Sequence, residues 1–565
     1  MNHKNSKKIN YRLSLFFIIL FGFCLRIIGL NWDQVQHLHP DERFLTMVSS
    51  TISLPKSINE YFNTSNSSFN PANNDYSFYV YGTFPLLITK IIAQITDFTS
   101  YDQIFFIGRI LSIFFDTSII LLIFLISQKL FKNTKIALLS SLLYSLCIFP
   151  IQQSHFFTVD ATTVFLFILS LYLLISQKNI LSGIIFGITL ASKTSIGIIL
   201  PFILLFIFFK DKQYLKNFIQ CFLFVLCLGL FFRIFQPYAF DGLIKLSPKF
   251  ISNIREAHQM ITGEYNYPPN IQWKSTFPVI HSLVNLFFVG LAPITFILSF
   301  LGISKIIKNK GFLKDKKIIL ILLIIFSIFI YHSILLARYM RYFYPIYPLL
   351  IILSGYALSK FSSKIIAILL LINLTITIAF IHIYLIPHSR YQASEWICQN
   401  IPANYTLSSE NWDDSLPLGS SSCRLKSYQH QDLALYDTES DQKWLKINSQ
   451  LNNVDYLIMS SNRLWGSIPK DVKDYPITSK FYQNLFDGNS NFKLIKKFYS
   501  YPGFSLPFIK KCFVVGLSVY PYQNQKNNFI AVENCNYPGI YFRDDAAEES
   551  FTVYDHPQVL IFKHQ

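Results

Sequence analysis

The chain has 565 residues, of which 52% are hydrophobic and 14% charged, with 56 Phe and a mean hydropathy of +0.36. Soluble proteins carry roughly a quarter charged residues, so this composition excludes an ordinary soluble domain and indicates a polytopic membrane protein. The net charge of +17 does not mark a nucleic-acid partner, because the basic residues sit in short loops between apolar runs.

The first apolar run, 11–30, has spanning length and no small-residue cleavage site behind it, so it reads as a retained signal anchor. His39-Pro40-Asp41-Glu42 follows directly. Ionisable groups beside a membrane helix are costly, and their presence there points to function. A carboxylate so placed is a candidate general base, and a cation is expected beside Asp41. The stretch 63–75 is polar and is expected to be mobile. Residues 81–97 are apolar, but counting them as a span would put every later Lys cluster outside. They read as an interfacial or re-entrant helix beside the acidic motif.

Further spans are predicted at about 103–130, 135–150, 161–177, 179–192, 195–210, 215–235, 277–303, 317–337, 342–359 and 362–386, about eleven in all. Lys4, Lys7, Lys8 and Arg12, then Lys129, Lys132 and Lys135, and Lys178 fall on one side of this arrangement. So do Lys210, Lys212, Lys216, the lysines of 305–317, Lys360 and Lys364. The positive-inside rule makes that side cytoplasmic and places the N-terminus inside and the C-terminal part outside. A bacterial inner (plasma) membrane is the expected location. The chain thus divides into a transmembrane module, 1–389, and an extracytoplasmic domain, 390–565.

Polar residues collect at the outer face. They are Asp41 and Glu42 in the first outer loop, His155 and Asp160 in the second, Lys193 in the third, Arg233, Asp241 and Glu264 in the fourth, and Arg338 and Arg341 in the fifth. Arg109 stands at the outer start of the second span. Carboxylates and cations around one water–lipid boundary suit an anionic, lipid-linked substrate. Sugar transfer from a polyprenyl phosphate leaves a phosphate for Arg or Lys to stabilise, and the acceptor hydroxyl needs a base. In an inverting transfer that base and the leaving phosphate flank opposite faces of the sugar. Each residue also has a plainer reading: Asp160 as a helix cap, Arg109 and Lys193 as snorkelling cations, His155 as a structural group, Arg26 as the partner of a carboxylate. No Walker A loop, dinucleotide fingerprint, CxxC, HExxH or serine elbow is present. A lipid-sugar flippase or other transporter is the non-enzymatic alternative, but its polar groups would gather near the midplane, often with inverted repeats. A surface-polysaccharide ligase or polymerase would share the chemistry and differ in acceptor.

From residue 390 the composition changes. Short β-like runs (454–459, 513–519, 559–562) alternate with helix-like ones (392–400, 441–450), as in a soluble α/β or α+β domain with its own core. Cys24, Cys147, Cys221 and Cys227 lie in apolar runs, while Cys398, Cys423, Cys512 and Cys535 all lie in this domain. An even set confined to the outer part suggests disulfides, with three pairings open.

HPDE (39–42), SHFFTVDA (154–161), LASKTS (190–195), QPYAF (236–240), PPNIQW (268–273) and RYMRYFYPIYP, beginning at Arg338, occur in an order that is identifiable. Together they resemble the membrane glycosyltransferases of the GT-C class, specifically the protein O-mannosyltransferase-like family 39 and its bacterial relatives that use phospholipid carriers. The resemblance covers about the first 390 residues. It implies a GT-C-type helical module, a polyprenyl-phosphate sugar donor, an outer-face active site and inversion at the anomeric carbon. It assigns the catalytic base to Asp41, with Glu42 beside it and Asp160 positioning a substrate; Arg109, Lys193, Arg338 and Arg341 would face the lipid phosphate. His39 and His155 are candidates for support. The fourth outer loop is too short for the β-trefoil of eukaryotic mannosyltransferases, so the acceptor stays open among glycan, lipid and protein. No cofactor is required on this reading. A divalent metal held by Asp41, Asp160 and Glu264 is the weaker alternative.

Overall fold

The computed structural model describes residues 11–419, 421–423, 426–506, 508–516 and 529–565. Lys4, Lys7, Lys8 and the end of the strand expected at 513–519 lie outside these residues.

The long Tyr101–Phe131 helix organises the apolar part. At 1.5 Å per residue it is about 46 Å long, well beyond the ~30 Å hydrocarbon core, so one end projects from the membrane. It packs on Tyr11–Ile27, Thr134–Ser145 and Val159–Ile175, and its projecting end meets Pro40–Thr51. Tyr101–Phe131, Tyr214–Phe235, Lys316–Ile334 and the run Ser363–Asn400 are each long and apolar enough to cross a membrane. Thr134–Ser145 and Ile148–Ser154 are a helix pair bent by 57°, the geometry of a broken span or a re-entrant loop. The chain is a multi-pass membrane protein.

Other expected spans are shorter or interrupted. The run 277–303 is divided into Pro278–Asn285, a wide turn at Leu286–Gly290 and Pro293–Lys308. Ala292, at φ +61°, and Pro293 make the break, because neither continues a helix from the preceding residue. The expected loop helix at 81–97 is Thr83–Thr96, which packs on Pro40–Thr51 and on Tyr101–Phe131.

All strands lie in the C-terminal part. They are β1 (Thr406–Glu410), β2 (Gln429–Leu433), β3 (Tyr456–Met459), β4 (Phe492–Phe498), β5 (Gly503–Ser505), β6 (Cys512–Val515), β7 (Ile530–Glu533), β8 (Gly539–Phe542) and β9 (Val559–His564). One sheet has the order β2-β1-β3-β9-β4, with β1 parallel to β2 and β3, and β9 antiparallel to β3 and β4. The other has the order β5-β8-β6-β7. The helices expected at 392–400 and 441–450 are Ser389–Asn400 and Asp441–Leu451. The disulfides are Cys398–Cys423 and Cys512–Cys535, which selects one of the three pairings.

The two parts are joined by buried polar contacts. Gln152 donates to Asp555 (3.0 Å) and to the Phe551 carbonyl (2.7 Å), and the Tyr384 hydroxyl donates to Asp555 (2.7 Å). The backbone N–H of Glu548 donates to Asn285 (3.0 Å), and Phe551 stacks on Phe380. The segment before β9 therefore belongs to the core of the helical part as much as to its own sheet.

Candidate active site

The HPDE motif is the start of a helix. His39 is the N-cap, its Nδ1 accepting from the Glu42 N–H at 3.3 Å, and Pro40 occupies the first turn, where its missing donor costs nothing. Asp41 and Glu42 then lie in that first turn, where carboxylates suit the helix dipole. Successive helical residues point about 100° apart, so the neighbouring acids reach different partners.

Glu42 turns inward and is fully buried. It accepts from Arg109 Nη2 (2.5 Å) and Nε (3.0 Å) and from the Phe157 N–H (2.6 Å). Arg109 also donates to Asp33 (2.9 Å) and to the Leu30 carbonyl (2.7 Å), and is itself fully buried. Burial pushes the Glu42 carboxyl up against the pull of Arg109, whereas for Asp33 the opposing pull of Arg109 outweighs burial and holds the group down. Arg109, expected at the lipid phosphate, is instead the centre of this closed triad and has no free face toward the cleft. Its position eight residues into Tyr101–Phe131 places it against Glu42, behind the motif.

Asp41 turns outward and pairs with Arg341; each side chain is 21% exposed. The expected cation beside Asp41 is thus Arg341. The Arg341 guanidinium lies over the rings of Tyr339 (5.1 Å) and Tyr342 (5.9 Å). Lys193 is also over Tyr342, 5.4 Å from the ring centre, and its Nζ meets Asp160 at 2.6 Å. Asp160, in the first turn of Val159–Ile175, is nearly buried, and Lys193 is 24% exposed. Asp160, Thr163, Lys193, His332, Arg341 and Tyr342 line one small cleft of about 20 Å³. Asp41, Asp160, Lys193 and Arg341, drawn from separate loops, are therefore brought together.

The remaining expected residues lie elsewhere. Arg338 is buried, donating to Thr276 Oγ1 (2.6 Å) and to the Leu335 carbonyl (2.8 Å), and burial lowers its pKa. Adjacent Ser275 donates to the carbonyl of Lys470, so Arg338 borders the junction with the C-terminal part. His39 is packed between Phe156 (4.4 Å) and Tyr554 (4.3 Å), and burial together with Arg341 pushes it well below the ordinary histidine value. It caps and packs as a neutral ring. His155 stacks on Tyr384 at 3.8 Å, its ring nitrogens 2.7 Å from the carbonyls of Ile151 and Ile28, which is a structural role. Arg26 pairs with Asp116 at 2.5 Å, as its place in a span required. Glu264 is exposed, and no three His, Cys, Asp or Glu side chains among the described residues are grouped to hold a metal ion. The trio Asp41, Asp160 and Glu264 is not assembled as a metal site.

Several neighbours of the cleft come from the C-terminal part and had no sequence signal. Tyr554 packs on His39, and Glu548, pushed up to about 7 by burial, accepts from the N–H of Met340, next to Arg341. Arg463 donates to Glu549 (2.6 Å) and lies over Tyr554 at 5.9 Å. Their pairings join residues far apart in the chain, and nothing in local spacing marks them.

Residues 83–235 match the family model described as dolichyl-phosphate-mannose-protein mannosyltransferase. That segment includes Arg109, Asp160 and Lys193 but neither Asp41 nor Arg341, and over its length it agrees with the resemblance read from the motifs. No curated protein sequence matches the chain. Among solved structures, the chain is similar to the Archaeoglobus fulgidus oligosaccharyltransferase in complex with Zn and sulfate (TM-score 0.48, 15% identity, 86% of this chain and 72% of that one). It is also similar to the archaeal oligosaccharyltransferase AglB from the same organism with an inhibitory peptide and a dolichol-phosphate (0.47, 14%, 84% and 72%). A third similar structure is ArnT from Cupriavidus metallidurans bound to undecaprenyl phosphate (0.47, 13%, 80% and 94%).

Proposed function

We propose that this chain is a membrane glycosyltransferase that moves a sugar from a polyprenyl-phosphate donor to an acceptor hydroxyl, with inversion, at the outer face of a bacterial plasma membrane. The observation that carries the proposal is the cleft lined by Asp160, Lys193 and Arg341, in which both cations lie over Tyr342 and each holds a carboxylate, Asp160 by Lys193 and Asp41 by Arg341. The match of residues 83–235 to a family named for dolichyl-phosphate-mannose supports the donor class.

The step needs a base on one side of the sugar and cations on the other. In the resting protein both carboxylates hold a cation. A donor phosphate entering the cleft competes for Arg341 and Lys193, because a guanidinium and an ammonium bind phosphate as well as carboxylate. Asp41, released from Arg341, then accepts the proton of the acceptor hydroxyl. The acceptor oxygen forms the new bond to the anomeric carbon, the bond from that carbon to the phosphate oxygen breaks, and the pair of electrons leaves with the polyprenyl phosphate. Asp160, still close to Lys193, orients the sugar or the acceptor. Glu42 and Arg109 act through position: their buried pair fixes the turn that aims Asp41. Residues 390–565 form the extracytoplasmic domain, and its acceptor is a glycan, a lipid or a protein.

Purified protein reconstituted with a panel of polyprenyl-phosphate sugars tests this directly. The expected result is release of free polyprenyl phosphate with at least one sugar. Binding or bilayer flipping of these donors with no cleavage would reject the enzymatic reading.

A further inference from the structure

Trp412 sits in an unusual setting. Trp32, Trp273, Trp444 and Trp465 are buried, but Trp412 is 42% exposed. Its backbone has φ +80°, a strained left-handed conformation that is a real outlier for a bulky residue. The surrounding structure enforces it. The Trp412 carbonyl accepts from Arg463, and its N–H donates to Asn411 Oδ1 at 3.0 Å. The next two residues are clamped by Arg390, to Asp413 at 2.5 Å and to Asp414 at 2.7 Å. A strained, rigidly held and exposed indole calls for a role outside packing.

Its place in the sheet points the same way. The chain leaves β1 for β2 on one side and leaves β3 for β4, beyond β9, on the other, so the connections diverge between β1 and β3. In open α/β sheets, ligands bind outside the carboxyl ends of strands at such a divergence. Residues 411–414 follow β1 and residues 460–463 follow β3, and the two loops are tied by Ser461 to Asp413. Two acceptor atoms there, Glu410 Oε2 and Asn462 Oδ1, are buried without a hydrogen-bond partner.

These two loops touch the helix that carries Asp41. Arg43, two residues beyond Asp41, donates to Asp414 at 2.7 Å. Tyr267 meets Trp412 edge to face (5.7 Å, 84°). We infer that Trp412, with Tyr267 beside it, is a stacking platform for a pyranose ring of the acceptor. The negative face of an indole attracts the C–H face of a sugar ring, and a platform fixed in advance loses little entropy on binding. The choice of acceptor over donor rests on the proposed reaction, which puts the donor phosphate at Lys193 and Arg341, whereas Trp412 belongs to the extramembrane domain.

The test uses the full chain in detergent, with methyl α-mannopyranoside and methyl β-glucopyranoside as probes and saturation-transfer difference NMR as readout. Transfer to the ring C–H protons is expected, retained in Asp41→Asn and Trp412→Phe. Trp412→Ala should reduce it roughly two- to tenfold, the worth of one aromatic contact, with Tyr267→Ala reducing it less. Equal signals from wild type and Trp412→Ala would overturn the proposal. So would equal signals from acyclic sorbitol or from a serine-containing peptide, or displacement of the glycoside by a polyprenyl-phosphate sugar. A Trp412-dependent signal in a protein that never releases carrier would uphold the subsite and reject the reaction. Carrier release with a Trp412-independent signal would do the reverse.

Discussion

Asp41 and Glu42 are neighbours in the chain, yet Asp41 pairs with Arg341 at the edge of the cleft while Glu42 is sealed against Arg109. One helical step separates a partly exposed carboxylate from a fully buried one. Their substitutions should therefore differ in kind. Glu42→Ala leaves buried Arg109 with Asp33 as its one carboxylate and the Phe157 N–H without its acceptor, and should cost roughly 1.5–3 kcal/mol of stability. Asp41→Asn breaks a partly exposed pair and should cost less than about 1 kcal/mol. Thermal unfolding of both variants in the same detergent checks the contrast; equal losses would contradict the assignment of the two acids.

Lys193→Ala and Arg341→Ala each remove one charge-assisted contact to the donor phosphate. Each should raise the donor KM about ten- to a hundredfold, given about 1.5–3 kcal/mol for a hydrogen bond to a charged group. The acceptor KM should stay close to wild type. Arg338→Ala, whose side chain is engaged with Thr276 and the Leu335 carbonyl, should change the donor KM less than either.

The docking of the C-terminal part carries a pH dependence. His556 lies between Asp555 (2.5 Å) and Asp544 (2.9 Å); burial disfavours its charged form, but the two carboxylates outweigh burial and raise its pKa to about 10. A histidine raised in the folded state stabilises fully below its unfolded value, near 6.5, and loses that contribution as pH rises through about 10. His556→Gln should therefore be markedly less stable than wild type at pH 6, with the difference shrinking toward pH 10. A difference that grows with pH would contradict the paired, charged histidine.

Much of the cleft was legible in the sequence because loop order and charge asymmetry place residues on one face of a membrane. Asp41, Asp160, Lys193 and Arg341 were found in that way. Arg109 was misplaced because sequence gives a position along a helix but neither its rotation nor how far the helix projects. Glu42 and His39 were read as chemistry when they also build a helix start. The interrupted run around Ala292 reads as continuous, since hydropathy does not register a backbone break. Glu548, Tyr554 and Trp412 were silent for another reason: their roles come from contacts between distant segments.

The central claim is that Asp41 takes the acceptor proton. Single-turnover transfer from a bound polyprenyl-phosphate sugar in Asp41→Asn, beside wild type, measures this most directly. A well-placed general base contributes about 10²–10⁴-fold, so the variant should bind donor normally and slow by at least about 10²-fold. A near-normal rate with donor bound would contradict the account.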